Sequence, residues 1–216
     1  DDIRGELVTH APHRAAMVRH AELRPLLCRA YAMGMPDLAP WTRARVLALP
    51  DDGNRYELLD GELLVTPAPR PVHQLVVQAL SLALHPYVHA HVLGTALALS
   101  ADLFGGHGQL LQPDLFVVPS RGAIDEWDSW PDPTLVVEVT SPATARYDRG
   151  LKRRFYQRAG VPEYWIVDPD ARVVERWRPL DERPEVLDVE MRWQPRADVA
   201  PLVIDLPALF ADAAGE

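Results

Sequence analysis

Two acids interrupt stretches of this chain that otherwise read as buried β-strand. Asp114 follows Pro113 and opens the apolar run Leu115-Phe116-Val117-Val118, and Glu138 divides Leu135, Val136 and Val137 from Val139. A buried carboxylate is costly unless it is protonated, paired or bound to a cation. Two of them at the ends of neighbouring strands also raise one another's pKa by repulsion. A divalent cation relieves both problems. Such a hard ion takes oxygen ligands, and Mg²⁺ needs only one or two carboxylates, keeping the rest of its shell for water and phosphate. Either acid alone could sit at a strand end, exposed or paired with an arginine. Together they point to a metal.

The segment that follows carries the cationic half of such a site. Asp148 and Lys152 are four residues apart and share a helix face. A lysine beside two metal-bound acids can orient or polarise an attacking water and neutralise charge gathering on a phosphoryl group. Residues 146–158 hold six basic side chains, among them Arg146, Arg149 and Arg153, against one acid. Taken alone, that is a solvated helix face with an ion pair. Placed directly after Glu138, it reads as a surface for a nucleic-acid backbone.

These groups need a scaffold. Thr42 caps a short helix that Pro50 ends, and "RYELLDGELLVTP" from Arg55 is a hairpin turning at Asp60-Gly61. From Pro71 the apolar residues Val72, Leu75, Val76, Ala79 and Leu80 follow a helical period, with Pro86 placed to kink or end it. "GTALALSADLF" and "QLLQPDLFVVP" read as strands joined by a turn at "GGHG", with Pro113 marking a bulge or strand start. A polar loop over 120–133 carries Trp127 and Trp130, which could line an interface or a lid or pack on the core. "TLVVEVTSP" is a strand buried on both faces, and the helix after it closes at Gly160. "EYWIVDPDARVVERWRP" is a further hairpin, the tail alternates over 185–193, and "LPALFADAA" is a short terminal helix. The order is that of an α/β fold around a mixed sheet. Residues 1–35 show only a weak helical stripe and read as an N-terminal extension, a candidate for poor order, ahead of a domain over 36–216.

Composition narrows the function classes. With 216 residues, 48% hydrophobic and 25% charged, the chain can build one sizeable core. A net charge of −9 excludes binding nucleic acid by bulk electrostatics, though not through a local basic groove. Cys28 is the sole cysteine, so no internal disulfide forms, and a reducing compartment follows. No stretch approaches a membrane span and no secretory pattern opens the chain, so the expected location is the cytoplasm. Zinc spacings, a nucleophile elbow and a phosphate-binding glycine loop are all missing from the sequence.

The order Asp, then Glu within an apolar strand, then Lys resembles the PD-(D/E)XK nuclease core. More narrowly, "RYELLDGELLVTPAPRPVHQ", "LLQPDLFVVPS" and "LVVEVTSPATARYDRGLKRRFYQRAGVPEYWIVDPDARVVERWR" resemble the Uma family of putative restriction endonucleases, over roughly residues 40–180. The family's DGE hairpin, Pro-x-His stretch, QPD strand, VEV-x-SP strand, D-x-x-x-K helix and EYW-x-VDP segment occur here in order. One departure from the wider nuclease pattern stands at Thr140, where a catalytic lysine would follow the Glu, and the resemblance transfers that role to Lys152. It implies a restriction-endonuclease-like mixed β-sheet core flanked by helices, with an N-terminal β-hairpin. Asp114 and Glu138 become ligands of Mg²⁺ or Mn²⁺, with the Val139 carbonyl as a third. Glu62 becomes an outer acid for a second metal or a metal-bound water, and His73 and Gln74 become contacts for water or phosphate. For Glu62 an exposed turn-flanking role, and for His73 and Gln74 a plain helix-start role, stay open. The activity implied is metal-dependent hydrolysis of DNA phosphodiesters. The alternative is an inactive nuclease fold serving as a nucleic-acid-binding or assembly module. A double-strand cut calls for two sites and so for a homodimer.

Overall fold

The computed structural model describes residues 40–98, 101–104, 108–119 and 131–216. The N-terminal extension, most of the "GGHG" turn, and Trp127 and Trp130 lie outside the described residues.

Thr42 does cap a short helix, α1 (Arg43–Leu47), its hydroxyl accepting from the Arg45 amide at 3.3 Å. Strands β1 (Arg55–Leu59) and β2 (Glu62–Thr66) pair antiparallel across Asp60 and Gly61. Both turn residues have positive φ, 50° and 82°, the requirement of a two-residue hairpin whose twist matches its strands. Helix α2 (Pro71–Ala90) starts on its proline and runs through Pro86 to Ala90, so Pro86 does not end it.

Among the described residues the central sheet has six strands, in the order β3-β4-β5-β6-β7-β8. These are β3 (Thr95–Leu97), β4 (Leu115–Val118), β5 (Leu135–Val139), β6 (Glu163–Asp168), β7 (Val173–Trp177) and β8 (Glu185–Leu187). Only β5 and β6 run parallel, and such a pair needs a crossover. It is supplied by α3 (Ala145–Tyr147), a π-helical turn (Asp148–Lys152) and α4 (Arg153–Arg158). The strand read over 94–104 is shorter than expected, with β3 ending at Leu97 and, among the described residues, a single bridge from Leu103 to Leu111 beyond it. Likewise the tail divides between sheets, β8 pairing with β7 while β9 (Glu190–Trp193) pairs with β10 (Leu202–Asp205) before helix α5 (Leu206–Ala214).

Strand alternation splits the core into two. Leu115, Val117, Val137, Val139, Trp165 and Val167 face α2, α5 and β9. Phe116, Val118, Val136 and Ile166 face the β1–β2 hairpin and α4, where Leu59, Leu64, Phe155 and Tyr156 fill the layer. Every residue of β5 is buried, as its unbroken apolar run requires. Parity therefore sends Glu138, two residues after Val136, into the hairpin layer. Among the described residues, no helix is long and apolar enough to cross a membrane.

Candidate active site

The β4–β5 register brings the first two acids together. Leu115 pairs with Val137 and Phe116 with Val136, so one further step sets Asp114 opposite Glu138. Residues so placed have Cβ atoms roughly 4.5–5.5 Å apart. At that step the ladder stops, since Pro113 has no N–H to give. Asp114 Oδ2 accepts from the Val139 amide at 2.8 Å, so the carboxylate holds the end of β5.

Asp114 is otherwise bound by two side chains from the hairpin and α2. Arg55 Nη1 donates to Oδ1 at 2.9 Å and His73 Nε2 lies 3.0 Å from Oδ2. The Asp114 side chain is only 5% exposed. Burial alone would push its pKa up, but the bonds from His73 and Arg55 carry it down to about 2.

Behind Asp114 lies a second, fully buried knot. Lys152 Nζ donates to Glu138 Oε1 at 2.9 Å, approaches Glu57 Oε2 at 2.9 Å and stands 4.0 Å from Asp148 Oδ1. Tyr156 donates its hydroxyl to the same Glu138 oxygen at 3.2 Å. Glu57 is completely buried and accepts the Gln112 amide at 2.8 Å, tying the hairpin to the segment that leads into β4. Burial would lower the Lys152 pKa, yet Glu138 and Glu57 raise it, so the ammonium stays charged. Glu138 is pushed well above the usual carboxylate range by burial, against the pull of Lys152 and with repulsion from Asp114, Asp148 and Glu57. Asp148 is raised by burial as well, opposed by Lys152.

The π-helical turn explains how α3 and α4 deliver two residues inward. Asp148 and Lys152 open and close it, and both are buried. Such wide turns are frequent at functional sites. Tyr164 of β6 anchors the turn by donating to the Asp148 carbonyl at 3.2 Å.

The other residues singled out from sequence lie outside the buried knot. Glu62 is exposed beside the hairpin turn, two residues along the face from the Leu64–Glu57 pair, and it makes no contact with the cluster among the described residues. Gln74 is exposed at the start of α2, where it lines a solvent-facing cleft together with His73 and Asp114. Arg149 is engaged by Asp168 at 2.9 Å and Glu175 at 2.5 Å, and Arg153 stacks on the Trp177 ring at 4.6 Å. Arg146 is exposed. Sequence reasoning missed Glu57, Arg55 and Tyr156. For Glu57 the signal was present: counting back from the Asp60-Gly61 turn puts it opposite Leu64, an acid inside an apolar face, as with Glu138.

A cleft of about 340 Å³ opens over this cluster, between the loop carrying Pro67 and Pro69 and the Ser141–Thr144 turn, with Arg55, His73 and Asp114 among its lining. The donor chemistry suits a hard divalent cation. Four enclosed carboxyl groups, Glu57, Asp114, Glu138 and Asp148, face two permanent cations, Arg55 and Lys152. His73 Nδ1 is buried with no hydrogen-bond partner among the described residues. As placed, among the described residues no three His, Cys, Asp or Glu side chains converge as ligands. The Val139 carbonyl leaves the strand on the same edge as the amide that Asp114 holds.

Residues 43–209 match the family model Uma2, described as putative restriction endonuclease. Among solved structures, a similar one is the crystal structure of a putative nuclease belonging to DUF820 from Anabaena variabilis ATCC 29413. It is 20% identical with a TM-score of 0.65, the match covering 81% of this chain and 99% of that one. No curated protein matches the chain.

Proposed function

The chain belongs to the Uma2 family, and from that premise we propose that it is a Mg²⁺- or Mn²⁺-dependent endonuclease hydrolysing DNA phosphodiesters. Asp114 and Glu138 hold the cation, with the Val139 carbonyl as third ligand. When bound, the cation supplies a lowered pKa for a water and neutralisation at the phosphoryl oxygens. The observation that supports the reading is the register that sets Asp114 opposite Glu138, with Lys152 of the π-helical turn bonded to Glu138.

The chain's own groups then divide the work. Lys152, fixed between Glu138 and Glu57, cannot serve as a base because it holds its proton. It acts as a fixed charge that aligns Glu138 and offsets negative charge developing on the phosphate. Tyr156 fixes the other side of the same carboxylate. Glu57 sets Lys152, and Asp148 completes the enclosure. Water attacks phosphorus in line, the opposite P–O bond breaks, and the proton the water gives up passes through solvent to the departing oxygen, so that one strand end leaves as a phosphate and the other as a hydroxyl.

The second reading, a nuclease fold kept as a nucleic-acid-binding module, draws on the partners already in place, since both key acids are bound to internal cations. Cleavage of supercoiled plasmid with Mn²⁺ separates the two. Wild type is expected to nick, while Asp114→Ala, Glu138→Ala and Lys152→Ala each lose at least about 10²-fold. Equal cleavage by all four would assign the activity to a contaminant and leave the binding module.

A further inference from the structure

Arg55 stands where the buried cluster meets the cleft. It has one nitrogen, Nη1, on Asp114 Oδ1 at 2.9 Å and on the Gln112 carbonyl at 3.0 Å. Nε and Nη2 make no hydrogen bond among the described residues, and neither is buried. The side chain is 22% exposed, in contrast to the 3% of Lys152. Arg55 lines the 340 Å³ cleft and also a smaller hollow of about 90 Å³ on the α2 side, which it shares with His73, Asp114 and Pro113. Glu138, Glu57 and Lys152 line neither. Whatever enters the cleft therefore reaches Arg55 and Asp114 without passing the buried Glu138 and Lys152.

Two chemical facts bear on that position. A guanidinium on a carboxylate competes directly with a metal for the same oxygen. A guanidinium with its remaining N–H donors open to a cleft is also the side chain best matched to a phosphate oxygen pair. We propose that Arg55 is the counter-ion of Asp114 in the metal-free protein and becomes the phosphate clamp of the cleft once Asp114 turns to the divalent cation. The ion pair is therefore an exchange position: a cation binding at Asp114 releases the arginine toward the strand. This rests on the nuclease reading and adds to it the residue that grips the substrate. Room for the movement exists on both sides of the side chain, in the cleft and in the smaller hollow. His73 stays on Oδ2 and keeps the carboxylate oriented during the exchange.

The test compares wild type, Arg55→Gln and Arg55→Lys in two binding assays, each variant first checked for an intact thermal transition. The first titrates Mn²⁺ alone, by calorimetry. Arg55→Gln is expected to bind it about tenfold more tightly, because the competing cation is gone. The second follows a fluorescein-labelled DNA duplex in Ca²⁺ across a salt series. Arg55→Gln is expected to lower the slope of log affinity against log salt by about 0.9, one phosphate contact. Arg55→Lys keeps the charge without the fork, so it should leave Mn²⁺ affinity within about twofold of wild type and weaken the duplex. Mn²⁺ affinity no tighter in Arg55→Gln, or an unchanged salt slope, overturns the proposal. Should glutamine at 55 unfold the chain, a lysine variant that holds the duplex as tightly as wild type overturns it instead. A wild type that takes up no Mn²⁺ would remove the nuclease reading and this inference together. A wild type that binds and cleaves, alongside an Arg55→Gln variant that matches it in both assays, removes the inference alone.

Discussion

Glu138 and Asp114 carry opposite perturbations, and each makes a prediction for the metal-free protein. Glu138 is raised by burial and by the acids around it. A raised carboxyl favours its protonated form in the fold, so its contribution to stability is present below about pH 4.5 and is lost as pH rises through the folded-state value. Glu138→Gln removes that excess charge while its amide oxygen can still accept from Lys152 and Tyr156. It is expected to stabilise the metal-free chain by about 1–3 kcal/mol at neutral pH and to abolish Mn²⁺ uptake. Asp114 runs the other way. Held at about 2, it contributes stability that is present above the ordinary value of 3.8 and lost as pH falls through about 2. Urea melts from pH 2 to 8 should show Asp114→Asn flattening the acid limb, with roughly 2 kcal/mol lost by the variant at pH 6. A Glu138→Gln chain less stable than wild type at neutral pH would show that the cluster is balanced as an internal ion pair, with no place for a further cation. Lys152→Met strands Glu57 and Glu138 together and should cost about 3–5 kcal/mol by the same melts.

At the scale of elements, two glycines test whether the site's supports are described correctly. Gly94 joins α2 to β3 at φ 125°, and a Cβ there would lie 1.9 Å from the Val118 carbonyl oxygen. Gly94→Ala combines backbone strain with a clash against β4, the strand that carries Asp114, and should cost about 3–5 kcal/mol in a denaturant melt. Gly150 sits inside the π-helical turn, where a Cβ would find no other atom within 4 Å, so Gly150→Ala should instead stabilise by about 0.5–1 kcal/mol. Loss of stability at Gly150 would mean that the turn needs glycine's freedom to place Asp148 and Lys152. Much of this layer was legible beforehand. The Asp60-Gly61 turn, the buried β5 run and the helix after it follow from turn chemistry and periodicity. The π turn left no trace, because Asp148 and Lys152 are four apart in either helix type. The early end of β3 and the division of the tail between two sheets are decided by tertiary pairing, which alternation alone does not encode. At the site, Asp114, Glu138 and Lys152 could be read because charge breaks an apolar run or recurs at helical spacing. Glu57 could have been read from the hairpin register. Arg55 could not, since an arginine opening a strand is usually solvent-facing and only the meeting of hairpin and β4 gives it a partner.

Across the whole molecule, a net charge of −9 would confine any hold on a polyanion to a small area. The basic run after β5 contributes less to that area than its composition implies. Arg149 is held by Asp168 and Glu175, and Arg153 by Trp177 and Gln157, so both brace the crossover against β6 and β7. Arg146 and Arg154 are exposed and make no ion pair among the described residues. Arg146→Ala should therefore reduce the salt slope of duplex binding by about 1 with little change in melting, whereas Arg149→Ala should lower stability by about 1 kcal/mol and leave the slope unchanged. The reverse pattern would put the nucleic acid on the β6–β7 side of the crossover. Above all of these stands the placement of a cation between β4 and β5, and one measurement meets it directly: anomalous diffraction from a crystal soaked in Mn²⁺. The result predicted is a single peak touching the Asp114 and Glu138 carboxylates and the Val139 carbonyl, with Arg55 withdrawn from Asp114. A soaked crystal with no peak there, and with Arg55 and Lys152 still closed on the two acids, would contradict it.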